Sequence, residues 1–158
     1  MQEKIKICFV CHGNICRSPA AEGVMRALVE KRGVADRFEI DSAGTYSGHA
    51  GDLPDSRMRT AASRRGYNLT HRARPIREAD FDRFDRIIVM DDYNYESVHR
   101  LAPSRADAMK IDRMTDFCRS HHDAHYVPDP YYEGREGFEI VLDLLEDACE
   151  GLLDECLK

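Results

Sequence analysis

Cys11 and Arg17 bracket five residues in the run Cys11-His12-Gly13-Asn14-Ile15-Cys16-Arg17-Ser18. A short loop that wraps back onto a helix start turns successive backbone N–H groups inward, and together with the helix dipole it makes a cradle for an anion. Gly13 and Asn14 are residue types that tolerate the backbone angles such a wrap needs. Arg17 adds a planar fork able to hold two oxygens of a tetrahedral dianion such as phosphate. The same field favours the thiolate of Cys11 over its thiol, which makes the sulfur a nucleophile beside a bound oxyanion. Ser18 can donate its hydroxyl to that thiolate or cap the helix.

The flanking pattern supplies the elements that such a loop requires. Residues 5–10 form a short apolar, β-rich run that ends at the Cys11 turn. From Ser18 the period changes: Ala21, Val24, Met25, Leu28 and Val29 mark one helix face, with Pro19 in the first turn and Gly33 past the end. Residues 37–42 alternate as a strand and lead into a loop containing Gly44, Gly48, Gly51 and Pro54. Asp55 caps a helix reaching Arg65, closed by Gly66, and residues 78–84 suggest another short helix before a strand at 87–90. Asp91 and Asp92 mark a strand end and the start of a helix that stops near Leu101, before Pro103. Residues 108–111 predict a fourth strand, residues 115–134 an extended polar loop, and Phe138, Val141, Leu142, Leu145, Cys149, Leu152 and Cys156 one stripe of a long terminal helix.

Strands alternating with helices predict an α/β fold: a four-stranded parallel sheet flanked by helices on both faces, with Rossmann-like right-handed crossovers. Ligands of such sheets bind beyond the carboxyl ends of the strands, so the Cys11 turn and the Asp91 strand end should face one side.

Composition narrows the function classes. The 158 residues fit one domain, 1–158, and 42% hydrophobic with 33% charged residues suffice for one core and are too apolar for a disordered chain. No apolar stretch approaches the roughly 18–20 residues of a membrane span, and residues 1–6 do not open a signal peptide. A net charge of −6 argues against a nucleic-acid or anionic-membrane surface across the domain. Cysteines at 8, 11, 16, 118, 149 and 156 form no disulfide framework, so free thiols in a reducing cytoplasm are expected, with Cys149 and Cys156 as core residues. Between Arg57 and Arg77 lie seven arginines and no acid, whereas the terminal helix is acidic. Such polarity predicts solvated faces, or a field that steers anionic partners.

Val10-Cys11-His12-Gly13-Asn14-Ile15-Cys16-Arg17-Ser18-Pro19 resembles the signature of the low-molecular-weight protein tyrosine phosphatases. Asp41-Ser42-Ala43-Gly44-Thr45, Thr70-His71-Arg72-Ala73-Arg74, Met90-Asp91 and Asp129-Pro130-Tyr131-Tyr132 fall where that family carries matching segments, so the likeness spans nearly the whole chain. The resemblance implies that family's three-layer sandwich and metal-independent, cofactor-free hydrolysis of phosphotyrosine or a small aryl phosphate through a phosphocysteine on Cys11. Arg17 and the loop from His12 to Ser18 would bind phosphate, and Asp129 would act as general acid and base. Phosphate and vanadate would inhibit, and a monomer is expected. The resemblance further assigns Asn14, Ser18, Ser42 and His71 to a supporting network, His49, Tyr131 and Tyr132 to the pocket wall, with the tyrosines phosphorylated in some members, and Cys16 to a reversible disulfide with Cys11.

Two departures bear on specificity. His12 stands at a position that is apolar in many relatives, and Tyr46-Ser47-Gly48-His49 does not reproduce the aromatic wall of some members. Ile15 fits the tyrosine-directed members, since phosphoarginine-directed relatives carry threonine there. Two other readings stay in view. A thioredoxin-coupled arsenate reductase would need a resolving cysteine, for which Cys118 is the candidate. A metal-binding module would use Cys8, Cys11, Cys118, His121, His122 and His125.

Overall fold

β1 (Ile5–Cys11) is buried on both faces, with Ile7, Phe9 and Cys11 directed to one side of the sheet and Cys8 and Val10 to the other. A strand covered twice has no polar face to alternate with, hence its near-continuous apolar sequence. The computed structural model describes residues 3–132 and 134–158. In it β2 (Phe38–Gly44), β1, β3 (Arg86–Val89) and β4 (Ile111–Arg113) lie side by side in that order, all parallel.

α1 (Arg17–Lys31), α2 (Ser56–Arg64) and α6 (Arg135–Cys156) pack with Ile7, Phe9, Ile88 and Met90 into one core. α3 (Ala79–Arg83) and α4 (Asp92–Leu101) close the opposite face through Phe81 and Val98 against Cys8, Val10, Ile87 and Val89. The three-layer α/β arrangement expected from the alternation is therefore present. The α6 stripe from Phe138 to Leu152 is buried along one side, Cys149 included, while Cys156 is half-buried at its edge.

The fourth strand differs from its expected position at residues 108–111. Ser104 accepts a hydrogen bond from the Asp107 amide and caps a short helix, α5 (Arg105–Ala108), so the chain extends only from Ile111, which pairs with Ile87. An N-cap hydroxyl outweighs the weak strand preference of four residues. The segment expected as loop, 115–134, contains short 3-10 turns at Met114–Phe117 and Pro130–Tyr132. Its start is pinned to α6: the Asp147 carboxylate accepts from the amides of Arg119, Ser120 and His121 and lies 2.7 Å from His121 Nδ1.

The basic tract is largely spent within the fold. Arg65 pairs with Glu139, Asp143 and Glu146 on α6, Arg74 with Asp41 and Asp80, and Arg57 with Asp55. No helix among the described residues is long and apolar enough to cross a membrane.

Candidate active site

Register brings the carboxyl ends of three strands together. Cys11 pairs with Gly44 and Val10 with Val89, so the loop after β1 sits between the ends of β2 and β3. The strand order reverses around β1, which is where open parallel sheets place their ligands.

Four carbonyls of the loop are tied outward: Cys11 and His12 accept from Thr45 and Tyr46, Ile15 from Asp55, and Cys16 from Ala20. The amides of His12, Gly13, Asn14, Ile15 and Cys16, by contrast, donate to no acceptor among the described residues. A ring of free N–H groups backed by anchored carbonyls is an anion cradle. Asn14 supplies the turn, with φ at 56°, a left-handed conformation that asparagine tolerates better than most residues. Gly44 lets β2 end against this loop, since a Cβ there would stand 2.8 Å from the His12 carbonyl oxygen.

The buried Asn14 side chain holds that conformation in place. Its Nδ2 donates to Ser18 Oγ at 2.7 Å and to Ser42 Oγ at 3.1 Å, and its Oδ1 accepts from the Arg74 amide at 3.0 Å and faces His71 Nε2 at 2.9 Å. Behind it, Ser42 donates to Glu22, and His71 Nδ1 lies 3.2 Å from Glu22 Oε1 and 3.4 Å from Asp41 Oδ1. All four expected network residues thus meet. Asp41, named in the sequence only as part of a matching segment, and Glu22, not named there, join them; the available signal for Glu22 was a carboxylate on an otherwise apolar stretch of α1. The ligand atoms of Glu22, Asp41 and His71 converge closely enough to suit a metal, but each already engages a serine, an arginine or Asn14.

Cys11 Sγ lies 3.0 Å from Ser18 Oγ at the floor of a cavity of about 400 Å³. Arg17, buried in the first turn of α1, is anchored through Nη1 to Asp91 Oδ2 at 2.7 Å and to the Val127 carbonyl at 2.9 Å. Burial alone would lower its pKa, but the adjacent Cys11 and the Asp91 hydrogen bond outweigh this and hold the guanidinium above its ordinary value. Arg17 Nη2 lies 3.7 Å from Asp129 Oδ2, and Asp129 is 42% exposed at the cavity mouth. The Tyr131 amide donates to Asp129 Oδ1 at 3.1 Å, which fixes the carboxylate at the start of the Pro130–Tyr132 turn.

The walls correct one expectation. Tyr46 and His49 both line the cavity, Tyr46 stacks on His12 with ring centroids 5.0 Å apart, and His49 faces the Tyr131 ring at 6.5 Å. The loop after β2 therefore does supply an aromatic wall, built from tyrosine and histidine, because the Tyr46 amide is fastened to the His12 carbonyl. Tyr131 is in the wall as expected; the side chain of Tyr132 lies outside the described residues. Cys16 lines the cavity too, its thiol pushed far above its usual range by burial and the nearby Asp55.

The metal-binding alternative does not assemble. Cys8 and Cys11 fall on opposite faces of the sheet, and His121 is taken by Asp147. Cys118 packs beside Leu144 of α6 and does not line the cavity, so it stands away from the position a resolving thiol would need.

Residues 6–158 match the family described as low molecular weight phosphotyrosine protein phosphatase. The chain is 42% identical over 149 residues to the low molecular weight protein-tyrosine-phosphatase of Streptomyces coelicolor, covering 94% of this chain and 91% of that one. It is likewise 42% identical over 156 residues to the low molecular weight phosphotyrosine protein phosphatase of Schizosaccharomyces pombe, covering 97% of each. The protein tyrosine phosphatase of Entamoeba histolytica, crystallised with Hepes in its active site, superposes with a TM-score of 0.94 at 44% identity over 98% of this chain and 97% of that one. Cradle, thiol, anchored arginine and full-length likeness agree, and the chain belongs to the low molecular weight phosphotyrosine protein phosphatase family, whose protein-tyrosine-phosphatase activity it carries.

Proposed function

We propose that Cys11 attacks the phosphorus of a tyrosine-phosphorylated protein or a small aryl phosphate, and that the phosphoryl group passes to its sulfur. Amides of the loop from His12 to Ser18 and the Arg17 guanidinium hold the equatorial oxygens, where negative charge is spread in the transition state. Asp91 and the Val127 carbonyl occupy one edge of that guanidinium. Nη2 lies 3.7 Å from Asp129 Oδ2, too far for a hydrogen bond, and is left to donate to phosphate. Asp129 protonates the departing phenolate, then takes a proton from the water that hydrolyses the phosphocysteine. Ser18 steadies the Cys11 thiolate as it departs. Asn14, Ser42 and His71 keep the cradle in shape, and His12, Tyr46, His49 and Tyr131 flank the aryl ring, with Ile15 lining the slot.

One observation carries this reading: five consecutive amides, His12 to Cys16, that have no acceptor among the described residues share a cavity with the Cys11 sulfur and the buried Arg17. Free phosphate and vanadate fit the same cradle and should inhibit. No step calls on a metal or cofactor. The chain acts as one domain, 1–158, and as a monomer. A nucleophilic thiol has to stay reduced, which suits the cytoplasm. Under peroxide, Cys11 sulfenic acid is captured by the Cys16 thiol with loss of water, giving a disulfide that thiols reverse.

The test is turnover of phosphotyrosine, p-nitrophenyl phosphate, phosphoserine, phosphoarginine and arsenate, without added metal, by wild type and Cys11→Ser. The first two should be hydrolysed by wild type only, while Cys11→Ser still binds vanadate. Hydrolysis surviving in Cys11→Ser, or thioredoxin-coupled arsenate reduction as the dominant activity, would overturn the assignment.

A further inference from the structure

Beside the active-site cavity lies a second groove of about 410 Å³, between α2 and the start of α6. Ala61 and Phe138 give it an apolar floor, Ser56 and Thr60 a polar edge, and Arg64 and Arg135 stand over it. Both arginines are exposed, and neither has an ion-pair or hydrogen-bond partner for its guanidinium among the described residues. In the tract from Arg57 to Arg77, by contrast, Arg65 sits on three carboxylates, Arg74 on two and Arg57 on one, and Arg59 and Arg72 donate to backbone carbonyls.

Arg57 stands between the groove and the catalytic cleft and touches the lining of both. The Arg57 guanidinium sits 5.3 Å from the centroid of Tyr131, in the cleft wall, and 5.0 Å from that of Phe138, in the groove floor. The two rings therefore lie no more than about 10 Å apart, a span that extended peptide covers in about three residues. Arg57 itself is neutralised by a two-point pair with Asp55, so its place is structural, and the cationic field over the groove comes from Arg64 and Arg135.

We propose that this groove is a second subsite, which takes acidic side chains flanking the phosphotyrosine of a peptide or protein substrate. The inference rests on the phosphatase reading of the Cys11 site and adds to it a substrate class. An aspartate or glutamate a few residues from the phosphotyrosine lays its short stem over Phe138 and Ala61 and meets the two unpaired guanidinium groups. The net charge of the chain is −6, so acidic substrates meet repulsion elsewhere on the surface and attraction here. Binding energy gained at a distance from phosphorus then contributes to kcat/KM only for substrates long enough to reach it.

The experiment compares kcat/KM for two phosphotyrosine peptides that differ only in carrying glutamate or glutamine at the three positions on each side of the phosphotyrosine. p-Nitrophenyl phosphate, too small to reach the groove, is the control. Wild type should prefer the glutamate peptide by roughly tenfold at low ionic strength, as expected for two exposed ion pairs, and the preference should shrink with salt. Arg64→Gln/Arg135→Gln should bring the ratio near one, and Arg64→Glu/Arg135→Glu should invert it, with turnover of p-nitrophenyl phosphate unchanged in both. A wild-type ratio near one, or a preference that survives in the glutamine variant, would overturn the subsite. Loss of p-nitrophenyl phosphate turnover by wild type would instead overturn the Cys11 assignment on which it depends.

Discussion

The Ser18 hydroxyl lies 3.0 Å from the Cys11 sulfur while accepting a hydrogen bond from Asn14 Nδ2 at 2.7 Å. With one lone pair engaged by Asn14, the hydroxyl can direct its single proton to a Cys11 thiolate at 3.0 Å, in competition with the Ala43 carbonyl oxygen at 3.3 Å. The residue that shapes the loop is thereby coupled to the residue that reacts in it. Hydrogen bonds to charged groups are worth about 1.5–3 kcal/mol, so Ser18→Ala should lower kcat roughly 10- to 100-fold. The effect should fall on phosphocysteine breakdown, where the thiolate is the leaving group. Rapid-quench measurement should show the covalent intermediate accumulating in the variant; an unchanged steady-state level would remove this role from Ser18.

Arg17→Lys should cost about 10²–10³ in kcat, the usual penalty for losing a donor to developing oxyanion charge. A lysine ammonium cannot hold Asp91 and the Val127 carbonyl on one edge and present a second, flat edge to phosphate. Steady-state assays with p-nitrophenyl phosphate measure the loss, and near-normal activity in this variant would refute the fork geometry.

Asp129→Asn separates leaving groups. Proton donation contributes about 10²–10⁴ where the leaving oxyanion is basic and little where it is already stable. Phenyl phosphate and phosphotyrosine should therefore lose far more rate than p-nitrophenyl phosphate, giving a steeper dependence on leaving-group pKa. A uniform loss would assign Asp129 a purely electrostatic part beside Arg17.

Asp147→Asn probes the loop anchor. Burial alone would raise the Asp147 pKa, but His121 and three backbone amides reverse this and bring it down to about 2. A carboxyl held below its unfolded value stabilises the fold at every pH above that value, and the contribution fades as pH falls toward the folded pKa. The variant should be less stable than wild type by roughly 2 kcal/mol at pH 7, and the gap should narrow below about pH 4 and close near pH 2. Urea midpoints across that range report it, and a gap independent of pH would show that the charge is not what holds residues 119–121.

Local rules act over a few residues, and what depended on them alone was visible in the chain. The strand before Cys11, the turn through Gly13 and Asn14, the helix after Arg17 and the Asp55 cap all follow from period, turn chemistry and capping. The order strand, helix, strand further determined a parallel sheet and the side on which Cys11 would stand. Tertiary structure alone decided how Arg17 is aimed, because its two anchors lie 74 and 110 residues away and arrive only when β3 pairs beside β1. It decided that Tyr46 joins the wall, that Glu22 and Asp41 stand behind His71, and that Arg65 meets three carboxylates while Arg64 and Arg135 meet none among the described residues. Each of these is a contact between segments distant in the chain, fixed by strand order and helix packing, and neither leaves a periodic trace in the residues that make the contact.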